Sequence, residues 1–289
     1  MIKVKEMRFN KTIQMCIFEG NPNGRIMCEL SNWNGRVYKI SRNDLNEFAN
    51  RPDAEFTGVY FLFGKDEDNN DTVYIGEAER MLIRLKQHLK DTNYWNDCVV
   101  VISKDNVLNK AHVKFLENNF YNLANDAKRS TLINSNVPTC SSISEFDESM
   151  LEEFIENAKL LVNTLGYKVF DKIDLSVIER DVDRQNIFFI KATRGADAKG
   201  LLVSDGLIVA KGSKVATDTV PSMPISLIDL RNKLIHKGII DQDYKFVSDY
   251  LFTSPSLAAS VVMGRSANGR TEWKNINNVS IKELEENNF

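Results

Sequence analysis

Cysteine, histidine and proline are scarce in this chain of 289 residues, which holds 4, 3 and 6 of them. Cys16, Cys28, Cys98 and Cys140 are scattered and form no C-x-x-C pair. They support neither a thiolate zinc site nor a disulfide framework, and a reducing cytoplasm is the compartment such usage fits. His88, His112 and His236 give no zinc constellation either. An excess of one charge is also missing: the net charge is −3, which offers no global attraction for a polyanion. A nucleic-acid ligand would therefore need a local positive groove or a metal ion, and a protein that never meets a polyanion is the alternative. No segment approaches about 18 uncharged apolar residues, the length of a membrane span. Residues 1–8 lack the apolar run of a signal peptide. Internal repeats and long low-complexity tracts are absent.

What is present suffices for folded cores. Hydrophobic residues make up 43%, and the length predicts about two domains. Residues 12–19 and Ile26–Leu30 read as strands around Asn21-Pro22-Asn23-Gly24, a strong turn signal. Asn34-Gly35 predicts a reversal into a third strand ending at Ile40, and Ser41 with Asp44 three positions on reads as a helix cap. Arg25, Arg36 and Lys39 are open to two readings, solvated surface or phosphate contact. Trp33 and Tyr38 suit base stacking or core packing.

The stretch from Gly58 to Glu117 organises the rest. Residues 56–63 and 72–75 are rich in β-branched and aromatic residues and read as strands. The acidic, Asn-rich residues 65–71 form the hairpin loop between them. After Gly76 the period changes: Leu82, Leu85 and Leu89 recur at helical spacing, which puts Arg84 and His88 on one helix face. Residues 96–103 read as a central strand. A second helix, residues 108–124, carries Lys110, Lys114 and Glu117 on one side.

This stretch resembles the GIY-YIG nuclease domain. Gly58-Val59-Tyr60 stands for the first triplet, with valine in its middle position, and Tyr74-Ile75-Gly76 matches the second as written. Arg84 falls at the family's essential arginine and Glu117 at its metal-binding glutamate. Asn134, with Asn136 as rival, falls at its later asparagine. The resemblance covers residues 55–138, under a third of the chain. It implies an α/β (α+β) fold, a small mixed sheet flanked by helices, and divalent-metal-dependent hydrolysis of DNA phosphodiester bonds. On this reading Tyr60 is the general base on water and Tyr74 orients water or phosphate. Arg84 grips the scissile phosphate with its planar fork. Glu117 holds one Mg²⁺ or Mn²⁺, His88 serves proton transfer or phosphate positioning, and Asn134 braces the site. Tyr60 has an unperturbed pKa of about 10 and needs a nearby cation to work near neutrality. Lys86, Lys110 and Lys114 are candidate DNA contacts, or an ordinary solvated face. Glu77 and Glu79 are weaker candidates as ligands, and His112 reads as a helix-face residue.

Beyond it, residues 140–186 read as a helical linker. Its helix, residues 147–165, carries an apolar stripe that could pack on either neighbour, and residues 171–183 form a charged bridge. Residues 187–289 form a second domain. Strand candidates lie at residues 187–192, 198–203 and 207–209, and an amphipathic segment at 225–235. A further helix is capped by Ser254 with Pro255 at its first position. Ala198-Lys199-Gly200, Phe252-Thr253-Ser254-Pro255-Ser256 and Asn268-Gly269-Arg270-Thr271-Glu272-Trp273 resemble the DUF4357 type of accessory domain, which implies a targeting role and names no chemistry. Arg265 and Arg270 lead a basic set that reads as a phosphate-binding face or as solubilising charge. The layout is thus 1–54 a β-rich extension, 55–139 the nuclease-like domain, 140–186 the linker and 187–289 an α+β accessory domain. The leading expectation is a cytoplasmic, metal-dependent DNA endonuclease. The alternative is a catalytically weak nucleic-acid-binding module that keeps the fold. One active site per chain makes a homodimer, or sequential action, the expected route to double-strand cutting. The resemblance leaves restriction, repair and mobile-element roles open, with a restriction or repair partner among the companions it allows.

Overall fold

The computed structural model describes residues 10–67, 69–91, 94–172 and 186–287. Two compact units divide the chain, Met1–Lys172 and Ile173–Phe289. The opening residues and most of the charged bridge, both singled out in the sequence, lie outside the described residues.

The first unit is built on a seven-stranded mixed sheet. Its strands are β1 (Ile13–Ile17), β2 (Ile26–Leu30), β3 (Gly35–Ser41), β4 (Gly58–Lys65), β5 (Asp71–Ala78), β6 (Asp97–Ser103) and β7 (Thr131–Leu132). They lie in the order β1-β2-β3-β6-β4-β5-β7. Every pairing is antiparallel except that of β5 with β7. β4 and β6 occupy the middle, which is why their sequences are apolar on successive residues: both faces are covered. One face presents Val59, Phe61, Ile75, Val99 and Val101 to a core shared with α3 (Lys110–Ala127) and α4 (Glu145–Thr164). The opposite face presents Tyr38, Tyr60, Leu62, Cys98 and Val100 to α1 (Leu45–Phe48) and α2 (Met81–Asp91).

Two findings go beyond the linear reading. The strands of residues 1–54 belong to the same sheet as the Tyr60 hairpin, because β3 pairs with β6 along its length, Gly35 with Ser103 through Ser41 with Asp97. Helix α4 adds Leu151, Phe154, Ile155, Ala158 and Leu161 to the core of this sheet. It starts at Glu145, two residues before the expected start at 147, since Ser144 accepts the Asp147 N–H and caps it. Ser41 does not cap a helix: β pairing holds it as far as Asp97, a 3₁₀ turn follows over Arg42–Asp44, and its side chain makes no capping bond. Trp33 packs on Phe154 at 4.9 Å between ring centroids, and Tyr38 is buried with its hydroxyl 2.8 Å from Asp53, so both are structural aromatics. Arg25 pairs with Glu19, and Arg36 with Glu29 and Asp53.

The second unit holds a four-stranded antiparallel sheet in the order β11-β10-β9-β8. Its strands are β8 (Ile187–Lys191), β9 (Asp197–Val203), β10 (Gly206–Val209) and β11 (Tyr250–Phe252). Its helices are α5 (Ile225–His236), α6 (Pro255–Met263), α7 (Gly269–Glu272) and α8 (Ile281–Asn287). The Ser254 hydroxyl caps α6 through the Leu257 N–H, with Pro255 at its first position, and Gly264 closes it at φ 64°. No helix among the described residues is long and apolar enough to cross a membrane.

Candidate active site

The site begins with strand register. Tyr60 stands opposite Gly76, and Leu62 opposite Tyr74, so the two phenols share the α2 face of the hairpin. Their rings lie 6.1 Å apart at 26°. Gly76 is required by space: a Cβ there would lie 2.4 Å from both Cζ and the hydroxyl of Tyr60.

Helix α2 brings Arg84 and His88 over these rings, as the four-residue spacing predicts. Arg84 Nε donates to the Tyr60 oxygen at 3.2 Å, and its guanidinium also bonds the Tyr74 hydroxyl. His88 Nε2 lies 2.8 Å from the Tyr60 hydroxyl, and Nδ1 lies 3.3 Å from that of Tyr94. Tyr60 is fully buried and its oxygen already accepts from Arg84, so its proton is satisfied by donation to Nε2. Burial pushes the Tyr60 phenol well above its ordinary range; Tyr74 adds to this, and Arg84 offsets only part. Burial opposes the charge on Arg84, but the two hydroxyls outweigh it and raise its pKa. Arg84 is nonetheless exposed over part of its length, so the guanidinium faces both the buried phenols and solvent.

Along the outer edge of β5, three successive devices satisfy the backbone. Ile133 N–H bonds the Val73 carbonyl, continuing the short β7. Next, Asn134 acts as a substitute strand: its Oδ1 accepts the Ile75 N–H at 3.0 Å and its Nδ2 donates to the Ile75 carbonyl at 2.7 Å. Asn134, and not the exposed Asn136, is therefore the asparagine that braces the second triplet. Last, the Glu77 N–H donates to the Glu117 carboxylate, which α3 delivers to this edge. Burial raises the pKa of Glu117 to about 7; the charge of Glu77 adds to the rise, while Lys110 and Arg84 pull the other way. Arg84 and Glu117 thus act on one another across the end of β5.

Glu77, a weaker ligand candidate by sequence, lies at the same edge. Its Oε1 takes an ion pair from Lys110 at 2.7 Å, while Oε2 is buried with no hydrogen-bond partner among the described residues. The one signal in the sequence was its position directly after Gly76. Two adjacent carboxylates, one with an orphaned oxygen, suit a hard divalent ion that keeps several waters and takes its remaining ligands from phosphate. No group of three or more His, Cys, Asp or Glu that would make a complete protein cage occurs among the described residues.

The candidate phosphate contacts differ in their freedom. Lys86 is exposed, and neither it nor Lys114 makes an ion pair among the described residues. Lys110 is tied to Glu77 and, at 3.4 Å, to Glu79. In the second unit, Arg265 pairs with Glu272 at 2.7 Å and Arg270 with Glu285. His112 is part of the α3 cap with Asn109 and lies 3.5 Å from Asp147.

In the second unit, the three short motifs converge on one side chain. Trp273 is fully buried, and its indole N–H donates to the Pro255 carbonyl at 3.0 Å. Gly200 leaves room beside it, since a Cβ there would lie 3.0 Å from the indole. Gly269 N–H bonds the Ser256 hydroxyl at 3.0 Å, and a Cβ on Gly269 would lie 2.0 Å from the Pro255 carbonyl carbon. Residues 188–285 match the family model described as Domain of unknown function (DUF4357). The match covers nearly all of the β8–β11 sheet and reaches into α8, about a third of the chain, and its range includes the residues that enclose Trp273. No curated protein and no solved structure matches the chain.

Proposed function

We propose that the first unit is a GIY-YIG-type endonuclease domain that hydrolyses DNA phosphodiester bonds with a divalent ion, and that the DUF4357 domain is its accessory module. The observation that supports this reading is Arg84, which bonds both phenols of the hairpin and whose charge also acts on Glu117. A guanidinium fork, a proton acceptor and a carboxylate are the groups that phosphodiester hydrolysis needs.

Within this reading Arg84 neutralises the scissile phosphate and fixes it against the tyrosines. Tyr60 meets the attacking water only once Arg84 turns from its oxygen to the phosphate; it then takes the water's proton and passes its own to His88 Nε2, because burial disfavours a free phenolate. Tyr74 holds the second edge of Arg84. Asn134 keeps Ile75 straight and so fixes the spacing of Tyr74 and Gly76. Glu117 would hold Mg²⁺ or Mn²⁺, which would supply charge neutralisation at the leaving oxygen. Lys86 and Lys114, which make no ion pair among the described residues, are the first-unit cations assigned to the strand backbone.

A second reading has its own support. No larger ligand cluster gathers among the described residues. A nucleic-acid-binding module with weak or no catalysis accounts for this. Mg²⁺-dependent cleavage of plasmid and branched DNA separates the two. The nuclease reading expects wild type to cut and Arg84→Ala and Glu117→Ala each to lose about 10²-fold or more. Equal background cutting by all three removes the enzyme, and retention of DNA without cutting favours the module.

A further inference from the structure

We propose that Glu77 is a second carboxylate of the divalent-ion site and that Lys110 is the site's resident counter-cation, which the ion displaces. The inference rests on the nuclease reading and adds to it two residues with no role in that chemistry.

Glu77 is held from both ends. Its backbone N–H is bonded to Glu117, and its side chain is 15% exposed. One oxygen is taken by the Lys110 ammonium at 2.7 Å, and the other is buried without a partner. A buried carboxylate oxygen normally finds a donor, and leaving one unmade is costly. Here the neighbouring anion, Glu117, supplies none. The orphaned oxygen and the Glu117 carboxylate together need positive charge, and Lys110 supplies only part of it.

Lys110 behaves as a stand-in for that charge. It bridges Glu77 and Glu79, at 2.7 and 3.4 Å, from the first turn of α3, and its stem is long and flexible. An ammonium donates hydrogen bonds to the same hard oxygens that Mg²⁺ and Mn²⁺ coordinate, but carries half the charge. An ion arriving between Glu77 and Glu117 competes with it for Glu77. The freed ammonium stays at the mouth of the site, beside Arg84 and Glu117, where a phosphate of the bound strand becomes its next partner. The pair thus keeps the acidic notch neutralised before loading and releases a cation toward DNA on loading.

The test is Mn²⁺ binding to the full-length protein at pH 8 without DNA, followed by calorimetry. Glu77→Gln is expected to weaken binding about tenfold or more, as loss of a ligand or its immediate support does. Lys110→Met, which keeps the stem and removes the competitor, is expected to tighten it several-fold. Glu77→Asp, which keeps the charge, is expected to retain more affinity than Glu77→Gln. Thermal melts confirm that each variant is folded. A second readout is chemical: saturating Mg²⁺ is expected to raise the acetylation rate of Lys110 at least twofold relative to exposed Lys86. Wild-type affinity in Glu77→Gln, or unchanged or weaker affinity in Lys110→Met, overturns the proposal while the nuclease reading stands. Unchanged affinity in Glu117→Gln, or no Mn²⁺ binding by wild type, overturns the ion site of the nuclease reading itself.

Discussion

The hydroxyl of Tyr60 lies 2.8 Å from Nε2 of His88, and the phenol it belongs to is fully buried. Burial holds that phenol neutral far above its ordinary range, so on the proposed nuclease reading a standing phenolate is not the base. On that reading a proton that moves to His88 as the water attacks avoids the difficulty. Replacing Tyr60 with Phe is expected to reduce single-turnover cleavage by about 10²–10⁴-fold. His88→Gln is expected to lower the rate about tenfold or more, because the Tyr60 proton loses its acceptor. A wild-type rate in His88→Gln would place the proton elsewhere.

Glu117 makes a prediction about stability. Its pKa is about 7 in the folded protein against an ordinary 4.5, with burial as the main cause. Between those values the folded state binds more protons than the unfolded state, so stability falls as pH rises through this window. Glu117→Gln keeps an oxygen for the Glu77 N–H and removes the titration. The variant is expected to be more stable than wild type at pH 8, by at most roughly 3 kcal/mol, and to show a flatter dependence between pH 4.5 and 7. Denaturant melts at pH 5 and pH 8 measure this. A variant less stable than wild type at pH 8 contradicts it. Saturating Mg²⁺ is expected to stabilise wild type and not the variant.

These relationships were unevenly legible in the sequence. The hairpin and helix α2 were readable because period-2 and period-3.6 patterns meet at Gly76, and the spacing of Arg84 and His88 follows from the helix alone. Pairing of β3 with β6 was not readable, because it joins residues about 60 positions apart and leaves no local signal. Helix α4 was visible as an apolar stripe, but its partner depends on where the sheet exposes Phe61 and Val101. Ser41 carried a good capping pattern, and the longer-range pairing with Asp97 overrode it. Glu77 looked like any charged residue after a glycine. Only the docking of α3 against the β5 edge brings Lys110 and Glu117 to it. The Trp273 enclosure was present as three motifs whose meeting point no linear reading locates.

Gly76 tests the packing under the site. Its backbone is extended, so Ala is acceptable by conformation, and the obstacle is the Tyr60 ring, 2.4 Å from where a methyl group would sit. Gly76→Ala is expected to push Tyr60 off both His88 and Arg84 and to destabilise the first unit by about 1–3 kcal/mol, the usual cost of overpacking. Cleavage is expected to fall as far as in Tyr60→Phe. The double variant Gly76→Ala/Tyr60→Phe is expected to be no less active than either single one, since both remove the same contact. Additive losses would show that Gly76 acts on another part of the site.

Asn134 offers the sharpest separation of structure from charge. Its amide meets Ile75 as a strand residue would, accepting one bond and donating the other. Asn134→Ala leaves the Ile75 N–H and carbonyl unpaired and is expected to destabilise by about 1–3 kcal/mol. Asn134→Asp keeps the size and the acceptor but has no proton for the Ile75 carbonyl 2.7 Å away. When ionised it sets two acceptors against each other, beside Glu77 and Glu117. It is therefore expected to be no more stable than Asn134→Ala at pH 8 and to recover at pH 4, where a protonated carboxyl can donate again. Because Ile75 lies between Tyr74 and Gly76, both variants are expected to lower turnover more than they weaken DNA binding. Hydrogen exchange of the Ile75 amide reports the brace directly: fast exchange in both variants, with slow exchange restored in Asn134→Asp only at low pH, is the expected pattern. Slow exchange in Asn134→Ala would mean that the sheet edge holds itself and the asparagine has another task.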